Sequence, residues 1–313
     1  MFQPIEPFKS GHLSVDYENS IYWELSGNPS GKPALFLHGG PGTGNLKGYR
    51  KMFDPEKYLI VYMDQRGCGQ SRPLVNDYTD LTGNNTTTLI NDIEELRNHL
   101  GIEKWMITGG SWGTTLALSY AQSFPNRVTD MVLSSITVTS EEEVHWITEE
   151  VGKLFPAEWD AFASVAQNFP GDRLIDRYYA GITSSNSENR RKIADAWCTW
   201  ENAHISLAPN WKPLSFFDKP EVRLSFATFV IHYWKHSGFL SERPILSNMA
   251  LLAGIPAVLI HGRYDVSLPI RTAYELHKRW PQSRLIVIQD EGHGGPKMSE
   301  QMCQVLSELA SKD

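Results

Sequence analysis

Cysteine is scarce in this chain. Cys68, Cys198 and Cys303 are its only three, spread over 313 residues. An odd, widely spaced set excludes a disulfide framework and points to free thiols in a reducing compartment. No run of about 18 apolar residues occurs, so no membrane-spanning helix is expected. Basic charge is also short: 29 Lys and Arg face 36 Asp and Glu, a net charge of -7. The basic residues are scattered, which excludes a broad nucleic-acid footprint and a polybasic membrane surface. The opening Met1-Phe2-Gln3-Pro4-Ile5-Glu6-Pro7 lacks the basic segment and apolar run of a signal peptide. There is no internal repeat and no low-complexity tract. The expectation is a cytoplasmic protein without a nucleic-acid or membrane partner; its oligomeric state is left open.

What is present is a globular composition, 41% hydrophobic and 21% charged. The length suits one large domain, or a core with an inserted subdomain. Residues 11–26 alternate polar and apolar and predict an antiparallel hairpin with its turn near Glu18-Asn19. Short apolar runs at 34–37, 58–63, 105–107 and 131–133 read as buried strands. Leu89, Ile93, Leu96 and Leu100 have helical spacing, and 114–121 reads as another helix. Strands alternating with helices imply a mostly parallel sheet with helices on both faces. Residues 136–250 break that rhythm: they hold helical segments, no convincing strand, and Trp146, Trp159, Trp197, Trp200, Trp211 and Trp234. The alternation returns with strand 257–261, helix 270–280, strand 285–288 and a last helix near 297–311. The expected organisation is a core of 1–135 and 251–313 with a helical cap of 136–250.

The chemistry centres on Gly109-Gly110-Ser111-Trp112-Gly113. The G-x-S-x-G pattern between a strand and a helix is a nucleophile elbow, in which the serine sits on a strained turn and the glycines let strand and helix approach. A serine hydroxyl needs a base, and the base needs an orienting carboxylate. Asp265, just after strand 257–261, and His293, just after strand 285–288, are the candidates. Both fall at the carboxyl ends of strands, on the edge that carries Ser111. Asp290 and Glu291 are rival acids with the wrong spacing, and Asp265 can also cap the segment that starts near Leu268. Oxyanion donors are expected from the amide of Trp112 and, in the loop His38-Gly39-Gly40-Pro41-Gly42, from the amide of Gly40. That loop lacks the lysine of a phosphate-binding loop and the spacing of a dinucleotide fingerprint. His232 and His236 are four apart but lack the glutamate of a zinc-protease helix, so no metal site is expected there.

Taken together, His38-Gly39-Gly40-Pro41-Gly42, Asp64-Gln65-Arg66-Gly67-Cys68-Gly69-Gln70-Ser71, the elbow with its helix to Leu118, and His261-Gly262-Arg263-Tyr264-Asp265 resemble the proline iminopeptidase family of α/β-hydrolases. The resemblance covers nearly the whole chain. It implies an α/β-hydrolase fold with an inserted helical cap. It also implies a cofactor-free serine hydrolase that releases an N-terminal residue, preferentially proline, from peptides. It assigns Ser111, Asp265 and His293 as the triad. It further implies that Glu201, in Trp197-Cys198-Thr199-Trp200-Glu201, binds the α-amino group of a small peptide substrate. Two positions depart from the family pattern. Val230 stands where a second cap glutamate is usual, and Gly294-Gly295-Pro296 follows His293 where a serine is usual. The first keeps a carboxylesterase or arylamidase acting on small neutral substrates as an alternative. A non-catalytic binding protein on this fold is a third, which the complete triad disfavours.

Overall fold

The computed structural model describes residues 1–77, 80–209 and 211–311. β1 (Lys9–Ser14) and β2 (Ser20–Gly27) form the expected hairpin. Its turn is held by Asp16, whose Oδ1 accepts the amides of Glu18 and Asn19 at 2.9 and 2.6 Å. β3 (Lys32–Leu37) and β4 (Tyr58–Met63) follow, then α1 (Thr86–His99), β5 (Trp105–Gly110), α2 (Trp112–Ser123) and β6 (Val128–Ser134). α1 starts where the side chain of Asn85 accepts the amide of Thr88, which satisfies one of the free donors of the first turn.

Among the described residues, five α-helices then separate β6 from the next strand: α3 (Glu141–Thr148), α4 (Pro156–Ala166), α5 (Leu174–Ile182), α6 (Ser187–His204) and α7 (Pro220–Lys235). A capping box of Ser140 and Glu143 opens the first of them. β7 (Ala257–Gly262), α8 (Arg271–Arg279), β8 (Ser283–Ile288) and α9 (Pro296–Ala310) complete the chain. Every element expected from the sequence is present with its type, and the helical stretch interrupts the strands where the pattern broke.

The eight strands form one sheet in the order β1-β2-β4-β3-β5-β6-β7-β8. β1 and β2 run antiparallel; β4, β3, β5, β6, β7 and β8 are mutually parallel. The central strands are buried on both faces, which is why they read as unbroken apolar runs. From β3 the chain steps outward to β4, then returns to the other side of β3 as β5. The strand order therefore reverses between β3 and β5, and the crevice beyond their carboxyl ends is where open α/β sheets bind ligands. The loop 38–44 leaves β3 there, and Ser111 leaves β5.

Apolar side chains collect in separate clusters on the sheet's two faces, and a further cluster lies within the helices. That helical cluster is built on aromatics. Phe162 stacks on Tyr178 at 4.2 Å and on Trp200 at 5.2 Å between ring centroids, and Trp197 packs edge-on against both Phe162 and Tyr178. The tryptophan density of this stretch is thus a packing requirement.

Candidate active site

Ser111 lies at the turn between β5 and α2 with φ 56° and ψ -128°, a conformation that costs a non-glycine residue energy. Its amide is shared between the carbonyls of Ser134 and Ser135, each at 3.1 Å, and its own carbonyl accepts the amide of Thr114 at 2.8 Å. The glycines at 109 and 113 are needed because α2 starts against the end of β3. A Cβ at 109 would sit 2.8 Å from the carbonyl oxygen of Gly113, and one at 113 would collide with that of Leu37.

Asp265 and His293 come from loops after β7 and β8 and meet at this edge. His293 donates Nδ1–H to Asp265 Oδ2 at 2.9 Å. The other oxygen, Oδ1, accepts the amide of Leu268 at 2.9 Å, so Asp265 serves both the histidine and the backbone turn. The Asp265 carboxylate is fully buried and the His293 ring is 17% exposed. Burial pulls the His293 pKa down. The charge and hydrogen bond of Asp265, with the Glu201 carboxylate nearby, outweigh burial and hold it above the ordinary value. Behind them lies His261, kept neutral by burial. It accepts the amide of Ile136 at 3.0 Å and donates to the carbonyl of Leu268 at 2.7 Å, tying the acid's turn to the end of β6.

The rival acids are committed elsewhere. The two carboxylate oxygens of Glu291 accept the amides of Lys297 and Met298, each at 2.7 Å, at the N-terminus of α9, where a negative charge is favoured. Asp290 is exposed and paired with Lys297.

Gly40 lies in the loop after β3 at φ 112°. Trp112 is the first residue of α2, where an amide has no acceptor within the helix. A buried polar chain links these two segments. The Trp112 indole donates to Gln65 Oε1 at 2.9 Å, and Gln65 Nε2 donates to the His38 carbonyl at 2.9 Å. His38 Nδ1–H in turn donates to the Gly39 carbonyl at 2.8 Å, while its Nε2 accepts the Gln65 amide at 3.1 Å. Burial keeps His38 neutral, as that double role requires.

Ser111, His293, Gly40 and Glu201 line one cavity of about 670 Å³. Asp265 lies behind His293. Glu201 reaches the cavity from α6. Burial pushes its pKa up to about 7; His293 opposes the rise, Asp265 adds to it, and the indole of Trp197, one turn earlier, favours the ionised form. Val230 packs in the apolar cluster of the helices. His232 is buried and engaged with the carbonyl of Asn84, at 2.7 Å from Nε2. No group of three or more His, Cys, Asp or Glu placed to hold a metal occurs among the described residues.

Several supporting residues escaped the sequence reading. The hydroxyl of Ser135 donates to the His293 carbonyl at 2.6 Å. The last turn of α6 and the residues after it grip the loop that carries Asp265. His204 Nδ1 lies 2.8 Å from the Ser267 hydroxyl, and the Leu207 amide donates to the Tyr264 carbonyl at 3.0 Å. The Trp146 indole donates to the Val266 carbonyl at 2.7 Å. A Cβ at Gly292 would collide with Ser206, which is why the residue before His293 is glycine. Only Gln65 carried a signal in the sequence, its place directly after a strand-end aspartate; the others depend on contacts distant along the chain.

The family model described as the alpha/beta hydrolase fold matches residues 32–296. A proline iminopeptidase of Arabidopsis thaliana is 40% identical over 296 residues, covering 94% of this chain and 77% of that relative. One from Neisseria gonorrhoeae is 38% identical over 315 residues, covering 99% and 98%. The solved structure of a proline iminopeptidase from Mycobacterium smegmatis matches with a TM-score of 0.63 over 96% of this chain and 99% of that one. At 18% identity that is a likeness of fold. With the strand order, the elbow and these relatives in agreement, the chain is a hydrolase of the aminopeptidase type and belongs to the proline iminopeptidase family of α/β-hydrolases.

Proposed function

We propose that the protein releases an N-terminal residue, preferentially proline, from small peptides through a Ser111–His293–Asp265 triad. The observation that carries this reading is the bonded His293–Asp265 pair, with its histidine on the same cavity as the elbow serine and Glu201. His293 takes the proton of the Ser111 hydroxyl as the oxygen attacks the scissile carbonyl. The amides of Gly40 and Trp112 receive the oxyanion. His293 then protonates the departing amine, leaving an acyl-enzyme on Ser111. Water, activated by the same ring, releases the amino acid and restores the serine. Asp265 holds the ring in the required tautomer and favours the imidazolium.

Glu201 is the binding group for the substrate's α-ammonium. A carboxylate at an apolar wall makes a charge-assisted hydrogen bond that a neutral group cannot replace. The helical residues 136–250 act as a cap over a core of 1–135 and 251–313, and α6 supplies Glu201 from it. No metal or organic cofactor takes part. The three cysteines are buried and unpaired, which supports a reducing, cytoplasmic setting. No helix among the described residues is long and apolar enough to cross a membrane.

A carboxylesterase or arylamidase is the second reading, favoured by the apolar Val230 at the usual place of a second cap carboxylate. The two separate in one assay of free against N-acetylated prolyl arylamide. The aminopeptidase reading expects acetylation to reduce kcat/KM by about tenfold or more, since a hydrogen bond to a charged group contributes about 1.5–3 kcal/mol. Equal rates would leave the esterase or amidase.

A further inference from the structure

We propose that the cavity holds its substrate at both ends, Glu201 taking the N-terminal ammonium and Lys212 the C-terminal carboxylate, so that zwitterionic di- and tripeptides are preferred. This rests on the aminopeptidase reading above and extends it to the length and terminal charge of the substrate.

Among the described residues, six ionisable side chains line the cavity: Glu201, Lys212, Asp290, Glu291, His293 and Lys297. Asp290 and Lys297 neutralise each other in an ion pair. Glu291 spends both oxygens on the first amides of α9. His293 is bonded to Asp265. That leaves one acid and one base. Lys212 is exposed and makes no ion pair among the described residues.

The two remaining charges are held in relation to each other. The amide of Leu214, two residues after Lys212, donates to Asn202 Oδ1 at 3.0 Å, and Asn202 is the neighbour of Glu201 on α6. The same cavity is lined by the apolar side chains of Ile205, Ala208, Leu214 and Phe226. Such a wall suits a proline ring and a small second side chain. A cavity of about 670 Å³ accommodates a ligand of drug size, which a di- or tripeptide is. A cavity with one unmatched acid, one unmatched base and an apolar wall is complementary to a short peptide bearing both terminal charges.

The experiment compares kcat/KM for prolyl-glycine and its C-terminal amide, with a prolyl arylamide as reference. Because Lys212 is exposed, the pair is modest, and the free acid is expected to be favoured about three- to fivefold at low salt. The preference should shrink at about 0.5 M salt, where the screening length is a few ångströms. Lys212→Met should bring the acid-to-amide ratio to about one, Lys212→Glu should invert it, and Lys212→Arg should keep it. Equal cleavage of acid and amide by the wild type, or an undiminished preference in Lys212→Met, overturns the proposal while arylamide cleavage leaves the aminopeptidase reading standing. If neither the peptides nor the prolyl arylamide is cleaved, both readings fall together.

Discussion

The sheet edge and the helical block meet over one cavity, and they present their polar groups in opposite states. At the sheet edge the candidate reacting residues are held in place by bonds from the protein itself. Both oxygens of Asp265 are bonded, the His293 ring and carbonyl are both anchored, and the Ser111 amide is shared by two carbonyls. On the helical side Glu201 is a carboxylate whose charge burial opposes, with a pKa near 7. Reacting groups gain from being fixed before substrate arrives, because reorganisation then costs nothing during the reaction. A recognition group gains from the reverse: a charge the protein leaves unmet is one the substrate can meet.

That contrast can be broken from either side. On the sheet edge, Ser111→Ala should lower kcat by about 10⁶-fold, with the thermal melt unchanged, because the hydroxyl makes the covalent bond. A variant keeping more than about a tenth of the wild-type rate would remove Ser111 from the mechanism. Asp265→Asn should cost about 10⁴-fold in kcat, since an amide in its place turns the His293 ring to the wrong tautomer. Here a loss confined to KM would contradict the assignment.

On the helical side the effects should be smaller and selective. Glu201→Gln should reduce kcat/KM about 10- to 100-fold for free-amine substrates, on the scale of a charge-assisted hydrogen bond, and far less for neutral aryl esters. A uniform loss on both classes would make Glu201 a structural residue.

The two regions also meet through titration. His293 must be neutral to accept the serine proton, so ester hydrolysis should rise with pH through its raised pKa. Glu201 must be ionised to hold an ammonium, so free-amine substrates should show a second ionisation near pH 7. The two groups interact, and the measured values belong to the pair. Because the Glu201 anion favours the imidazolium, Glu201→Gln should move the ester profile toward lower pH. A profile that stays in place would mean that the two charges do not sense each other. The mildest expected effect is that of Ser135→Ala, which removes one hydrogen bond to the His293 carbonyl. Stability should fall by about 1 kcal/mol in a denaturant titration, with a few-fold loss of kcat. No change in either would make that bond incidental.

The sheet was legible in the sequence, and the triad candidates could be picked out there, because both rest on local signals: apolar runs, strand-end residues and glycines at fixed offsets. Ser111 directly follows β5, and Asp265 and His293 stand in the short loops after β7 and β8. Glu201 was not legible in that way. On α6 it looks like any surface glutamate, and only the Trp-x-x-Trp-Glu resemblance singled it out. Ser135, His204 and Ser206 were invisible, since their partners lie 158, 63 and 86 positions away and nothing in the local pattern marks such a pairing. Lys212 gains meaning only when every other charge around the cavity has been accounted for.

The grip of the helical block on the loop that carries Asp265 has a mechanical consequence. Lifting the helices off the sheet would break the bonds to Tyr264, Val266 and Ser267 together, at a cost on the order of several kcal/mol, and would slacken the turn that aims Asp265. The block is therefore a roof bolted to the wall that carries Asp265 and His293, and both contribute to the lining of the one cavity between them.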